Sequence, residues 1–259
     1  MSEVLNIALI QSQLVWENPA QNRADFSKKI DALDDAVDLV VLPEMFTSGF
    51  TMNPSHIAET MEGKSITWLK YLASKNQIAI TGSLVIEENG NFYNRMVFVH
   101  PNGTLEHYDK RHTFTLAGED KIYTSGSKKL IVDYKGWKIC PLVCYDLRFP
   151  VWSRNVEHYD LLIYIANWPT LRMTAWDTLL KARAIENMSY CVGVNRVGTD
   201  HNNHDYSGHS AAYDVLGNKL DSIPVNEEAI EVVELRKKAI ATYRNKLSFL
   251  SDQDQFLIK

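Results

Sequence analysis

Cysteine is scarce: Cys140, Cys144 and Cys191 are the three in 259 residues. An odd, sparse set argues against a disulfide framework and predicts reduced thiols and a cytoplasmic setting. Basic runs are missing too. The formal net charge is -5, the pI is about 5.9, and no block of five or six Lys or Arg occurs. Nucleic-acid and membrane-surface binding therefore have no compositional support. No apolar stretch reaches the ~18 residues of a transmembrane helix. The start, Met1-Ser-Glu-Val-Leu-Asn6, lacks the basic and long apolar regions of a signal peptide. Long-period repeats and low-complexity linkers are also absent. What is present is ordinary: 45% hydrophobic and 23% charged residues, enough for a sizeable core. One α/β domain over residues 1–259 is expected.

Apolar runs of strand length alternate with helical spacings. Leu5–Ile10, Asp38–Leu42, Ile78–Ile86, Asn94–Val99, Leu105–Tyr108, Trp137–Cys144, Asp160–Ala166 and Tyr190–Asn195 read as strands. Asn89-Gly90 is a hairpin signal. Phe26, Ile30, Leu33 and Val37 mark one helix face, Ile66, Leu69 and Leu72 a second, and Trp176, Leu179, Leu180 and Ala184 a third running to Asn187, read as its C-terminal cap. Residues 150–158 read as helix, and the tail begins as one at Leu235. Hairpins mixed with crossover helices predict mixed sheets. Residues 46–62 form a long irregular segment, which is uncommon unless it covers something.

Three apolar strands end in a reactive residue: Glu44, Lys110 and Cys144. Strand ends distant in sequence can converge on one crevice. A thiol needs a base, and Glu44, beside apolar Pro43, Met45 and Phe46, is expected to be partly desolvated with a raised pKa. Lysine and the backbone N–H of Tyr145 can stabilise an oxyanion. Taken singly, Glu44 reads as a loop charge, Lys110 as a solvated edge-strand charge and Cys144 as packing.

The words around the three change that reading. Leu42-Pro-Glu44-Met-Phe, Tyr108-Asp-Lys110-Arg-His and Val143-Cys144-Tyr-Asp-Leu-Arg-Phe-Pro150 resemble the signature segments of the carbon–nitrogen hydrolase (nitrilase) superfamily. So do Ile7–Gln11, Ala166-Asn-Trp-Pro169, Ala182–Asn187 and Ser207–Ser210, all in the expected order. The resemblance implies a four-layer α-β-β-α sandwich of two mixed sheets, with Glu44 as base, Lys110 as oxyanion-stabilising cation and Cys144 as nucleophile. Glu119 aligns with a second glutamate that assists in the superfamily, although Asp120 lies beside it. The Cys-Tyr-Asp-Leu-Arg-Phe-Pro and Asn-Trp-Pro words are most similar to the omega-amidase branch, implying hydrolysis of 2-oxoglutaramate or 2-oxosuccinamate through a thioester, with no metal or organic cofactor. Arg148, Arg172 and Arg111 are candidates for the substrate carboxylate. Phe46, Phe114, Tyr145 and Trp168 are candidate pocket walls. A homodimer or larger assembly is implied, with the Trp176 and Arg183 helix as the contact surface the chain itself suggests.

Alternatives stay open. N-carbamoyl amides and nitriles remain possible substrates. His112 or His158 in place of Glu44 would make a Cys-His acyl hydrolase, and a catalytically silent binding protein of the same fold is a third reading. His201-Asn-Asn-His204, with His209 further on, fits no strong metal template.

Overall fold

Alternation within the first strand separates two apolar layers. In β1 (Val4–Gln11), Leu5, Ile7 and Leu9 belong to one buried cluster, and Ala8 and Ile10 to another. Successive strand side chains point to opposite faces, so one strand feeds both. The structure is a computed structural model and describes residues 2–258. After β1 come α1 (Pro19–Asp31), β2 (Leu39–Val41), α2 (Lys64–Asn76), β3 (Ala79–Glu88), β4 (Asn91–Val99) and β5 (Leu105–Asp109). Next are β6 (Val132–Tyr134), β7 (Trp137–Val143), α3 (Pro150–Ser153), β8 (Leu161–Ala166), α4 (Met173–Asn187) and β9 (Tyr190–Asn195). The chain closes with β10 (Val197–Thr199), β11 (Asp205–Ser207), β12 (Ala211–Tyr213), β13 (Ala229–Arg236) and α5 (Lys237–Leu247).

The strands form two mixed sheets, ordered β13-β1-β2-β3-β4-β5 and β12-β9-β8-β7-β6, with β10 and β11 as a separate ribbon. In the first, β1, β2 and β3 run parallel and the other pairs antiparallel. In the second, β7, β8 and β9 run parallel, with an antiparallel strand at each edge. Inner faces of both sheets share one core, in which Leu5, Ile7 and Phe98 join Ile139, Leu161 and Val192. Phe26 and Ile30 of α1 and Leu69 and Leu72 of α2 cover the first sheet's other face. Trp176 and Leu180 of α4 cover the second at Gly193, where an added Cβ would lie 2.4 Å from Leu180 and 2.7 Å from Trp176. The result is the four-layer α-β-β-α sandwich.

Local signals act as their chemistry predicts. Asn18 accepts the Gln21 N–H at 3.1 Å and caps α1, with Pro19 in its first turn. Asn89 and Gly90 both take positive φ, 53° and 78°, as a tight hairpin turn between twisted strands requires.

Three expectations are corrected. Helix does not run over 150–158; α3 stops at Ser153. The Asn155 side chain accepts the Tyr159 N–H and donates to the carbonyls of Tyr159 and Asn187, tying the backbone into a turn. Asn187 does not cap α4. Met188 does, in the left-handed conformation, while Asn187 Oδ1 accepts the Asn155 N–H. Trp176 and Arg183 do not present a contact surface: both are buried, and Arg183 donates to the Leu147 carbonyl at 2.7 Å.

Candidate active site

The two sheets deliver their side chains to a common place. Glu44 lies three residues past β2, Lys110 directly after β5, Cys144 directly after β7 and Asn167 directly after β8. Asn94 projects from β4, and Glu119 opens a short 3-10 turn, Glu119–Lys121.

Lys110 holds the charged part together. Its Nζ lies 2.9 Å from Glu44 Oε1 and 3.0 and 2.8 Å from the two Glu119 oxygens. Lys110 is 1% exposed, and Glu44 and Glu119 are 0% exposed. Ion pairs this dry survive only when their remaining hydrogen-bonding capacity is met. Asn94 Nδ2 donates to Glu44 Oε1 at 2.8 Å and to Glu119 Oε1 at 3.2 Å. The Asn167 N–H donates to Glu44 Oε2 at 2.8 Å, and its Nδ2 donates to the Glu44 carbonyl at 2.7 Å. The Phe114 N–H donates to Glu119 Oε2. Burial opposes the charge of Lys110, yet Glu119 and Glu44 together hold its pKa above the usual lysine range. Burial pushes the Glu119 carboxyl up and Glu44 adds to it, with Lys110 opposing. Asp120, the other acidic candidate, is exposed, because only Glu119 is turned inward to the ammonium.

Cys144 has φ 46°, a conformation that costs a non-glycine residue. Asp146 holds this bend. Its Oδ2 accepts from the Val143 N–H at 3.0 Å and from Tyr108 Oη–H at 2.7 Å. Its Oδ1 accepts from the His112 N–H at 3.0 Å and lies 2.7 Å from His112 Nδ1. One buried carboxylate thus ties the turn after β7 to the segment after β5. Tyr145 is in the first turn of the 3-10 helix Cys144–Arg148, where a backbone N–H has no intrahelical partner. Burial pushes the Cys144 thiol well above its ordinary value, and Glu44 reinforces this against Lys110. The sulfur is therefore a thiol needing a base at the moment of attack.

His112 is committed elsewhere: besides its bond to Asp146, its ring stacks on Phe149 with centroids 3.7 Å apart. His158 sits in the turn before β8, at the opposite end of the parallel strands from Cys144. His201 stacks on Trp16, His204 faces Asp200 and His209 faces Asp177. Among the described residues no group of three metal-ligating side chains gathers.

Cys144 opens into a cavity of about 320 Å³. Tyr145, Trp168, Phe114 and Arg148 line it, as do Phe50 and Met52 from the long irregular segment, which does cover something. Phe46 does not. It is fully buried against Phe26 and Trp68, on the helix side of the first sheet. Met45, with φ 44°, turns the chain at that point. Arg111 is also placed elsewhere, donating to the Gly126 carbonyl at 3.1 Å. Asn94, Asn167 and Asp146 were not singled out by sequence reasoning. The one available signal was polarity: Asn94 sits at the start of a strand run that is apolar from Met96 to Val99, where a buried amide must find partners.

The arrangement offers a carboxylate, a buried ammonium and a free backbone N–H around a thiol that opens into one small cavity. Those are the parts for nucleophilic substitution at an acyl carbon, so fold and site have the make-up of a cysteine-containing hydrolase of the α-β-β-α class.

The carbon–nitrogen hydrolase family matches residues 6–245. Over 254 residues the chain is 42% identical to the omega-amidase YafV of Yersinia enterocolitica, covering 98% of both chains. It is 30% identical over 251 residues to the 2-oxoglutaramate amidase of Bacillus subtilis, covering 95% of this chain and 96% of that one. Its backbone superposes on XC1258 of Xanthomonas campestris, a CN-hydrolase superfamily protein with an arsenic adduct in the active site, with a TM-score of 0.97, 40% identity and full coverage of both chains. The chain belongs to the carbon–nitrogen hydrolase family, the nitrilase superfamily, and is a hydrolase of carbon–nitrogen bonds. No helix among its described residues is long and apolar enough to cross a membrane.

Proposed function

We propose that this single-domain enzyme is an omega-amidase, hydrolysing the terminal amide of small 2-oxo dicarboxylic acid monoamides such as 2-oxoglutaramate and 2-oxosuccinamate. The observation that carries the reading is the dry Glu44–Lys110–Glu119 cluster beside Cys144 at the foot of a small cavity. Relatives 30 and 42% identical over nearly the whole chain bear the matching names.

Cys144 Sγ attacks the carboxamide carbon while Glu44 takes the thiol proton. The oxyanion is received by Lys110 and the Tyr145 N–H. Glu44 returns the proton to nitrogen, ammonia leaves, and a thioester remains. Water then attacks the thioester as Glu44 takes its proton; collapse releases the dicarboxylate and restores the thiol. Glu119 keeps Lys110 charged and in place. Trp168, Phe114 and Tyr145 wall the substrate, and Arg148 meets its carboxylate. A homodimer or larger homo-oligomer accompanies this reading.

The test is ammonia release from 2-oxoglutaramate, 2-oxosuccinamate, an N-carbamoyl amino acid and an aliphatic nitrile. Turnover is expected on the 2-oxo amides and lost by at least about 10⁴-fold in Cys144→Ala, with folding intact. Preference for the carbamoyl compound or nitrile would replace the substrate assignment. Normal turnover by Cys144→Ala would end the mechanism.

A further inference from the structure

The chain has ten arginines, and eight have an acceptor. Arg23, Arg95, Arg183, Arg236 and Arg244 meet carboxylates, while Arg111, Arg154 and Arg196 donate to carbonyls. Among the described residues, Arg148 and Arg172 have neither, and both line the cavity that holds Cys144. Each instead sits over an aromatic ring. Arg148 lies over Trp168 with its guanidinium carbon 5.0 Å from the ring centroid, and Arg172 over Phe114 at 5.2 Å. Both rings line the same cavity. A guanidinium held over a ring keeps its N–H donors available for a planar, multi-oxygen anion.

The polar wall formed by the 200–206 segment does not compete for these cations. Asp200 also lines the cavity, but its carboxylate accepts the N–H groups of Asn202 and His204 at 2.8 and 3.0 Å and the Tyr206 hydroxyl at 2.8 Å. His204 Nδ1 lies 3.4 Å from its other oxygen. The one carboxylate lining the cavity among the described residues is thus already spent.

We propose that Arg172 is a second specificity-determining residue, forming with Arg148 a two-guanidinium grip on the adjacent oxygens of a 2-oxo carboxylate. The substrate class is thus an amide whose far end carries that anion. The inference rests on the omega-amidase reading and adds a residue and a stereochemical demand to it. A single guanidinium serves a carboxylate; a second, held over a different ring, reaches the neighbouring keto oxygen as well.

The experiment compares wild type, Arg172→Gln and Arg172→Lys on 2-oxoglutaramate, glutaric acid monoamide, which lacks the keto group, and butyramide, which has no charge. In Arg172→Gln the ratio of kcat/KM for 2-oxoglutaramate to that for butyramide is expected to fall about 10- to 100-fold, the worth of one charge-assisted hydrogen bond. The loss should lie mainly in KM. Preference for 2-oxoglutaramate over glutaric acid monoamide should shrink, and Arg172→Lys should restore carboxylate binding without that preference. Binding of 2-oxoglutarate to Cys144→Ala, with and without Arg172→Gln, gives the same comparison independently of turnover: a rise in Kd of at least about tenfold is expected. An unchanged selectivity ratio with an unchanged Kd would overturn the proposal. Equal losses on all three amides would do so too, since they mark a merely structural role. Wild-type enzyme that prefers butyramide to both anionic amides would instead sink the omega-amidase reading, while the Kd comparison would still judge Arg172.

Discussion

The buried cluster on the inner side of Cys144 and the outer rim of its cavity solve opposite problems. At the inner end, Glu44, Lys110 and Glu119 are dry, mutually paired and pinned by Asn94 and Asn167. At the outer end, Arg148 is exposed, Arg172 half-buried, and neither has an acceptor among the described residues. Charges out of water must have partners, and there the protein supplies them. Charges left at a wet rim await a partner from outside. On the proposed mechanism the contrast separates two tasks: proton transfer falls to residues at strand ends of two sheets, and choice of substrate to side chains on short 3-10 turns.

Breaking the inner end should have the largest effect. Lys110→Met removes the shared cation from two buried carboxylates. Ammonia release should fall about 10³-fold, as for loss of an oxyanion donor. Stability should fall by about 3–5 kcal/mol, measured by urea unfolding, because the carboxylates are left uncompensated. The pH dependence has a definite sign. Glu119 already has a raised pKa in the fold. Such a group contributes stability below the ordinary carboxyl range, lost as pH rises through its raised value. Without Lys110 the rise is larger, so the deficit relative to wild type should narrow as pH falls toward the carboxyl range. A variant whose deficit is the same at every pH would show that the pair does not govern the cluster's protonation.

Next is the brace. Asn94 reaches both glutamates yet touches no substrate cavity. Asn94→Ala should lower kcat about 10- to 100-fold, since misplacement of a base is costly even when the base remains. KM should be nearly unchanged, because the rim is intact. A change in KM with kcat preserved would mean that the inner and outer ends are not separable.

That separation also marks what was legible in the sequence. Glu44, Lys110 and Cys144 each follow a strand-length run, so their convergence followed from strand ends and from the short words around them. Asn94, Asn167 and Asp146 act through partners on other strands, with Asp146 reaching back to Tyr108 and His112, and no local pattern carries such contacts. Phe46, a candidate pocket wall, neighbours Glu44 in the chain, but a left-handed Met45 sends it to the helix layer. Trp176 and Arg183 show the same gap on a helix: periodicity gives a face, and only packing says which way it points. Arg148 and Arg172 were legible as donors; that they are the two arginines without an acceptor among the described residues is a tertiary fact.

The mildest way to sharpen the comparison needs no substitution. Salt screens exposed charges over about 8 Å at physiological ionic strength and leaves buried pairs nearly untouched. Raising ionic strength from low to roughly 0.5 M should therefore raise KM for 2-oxoglutaramate about two- to threefold, by weakening the attraction of the rim arginines for the anion. The kcat should hold, since Lys110, Glu44 and Glu119 lie out of reach of the added ions. Butyramide, which carries no charge for the rim to attract, should show neither change. If kcat fell with salt while KM held, the field acting on the reaction would extend to the solvent, and the dry cluster would not be the insulated device its burial implies.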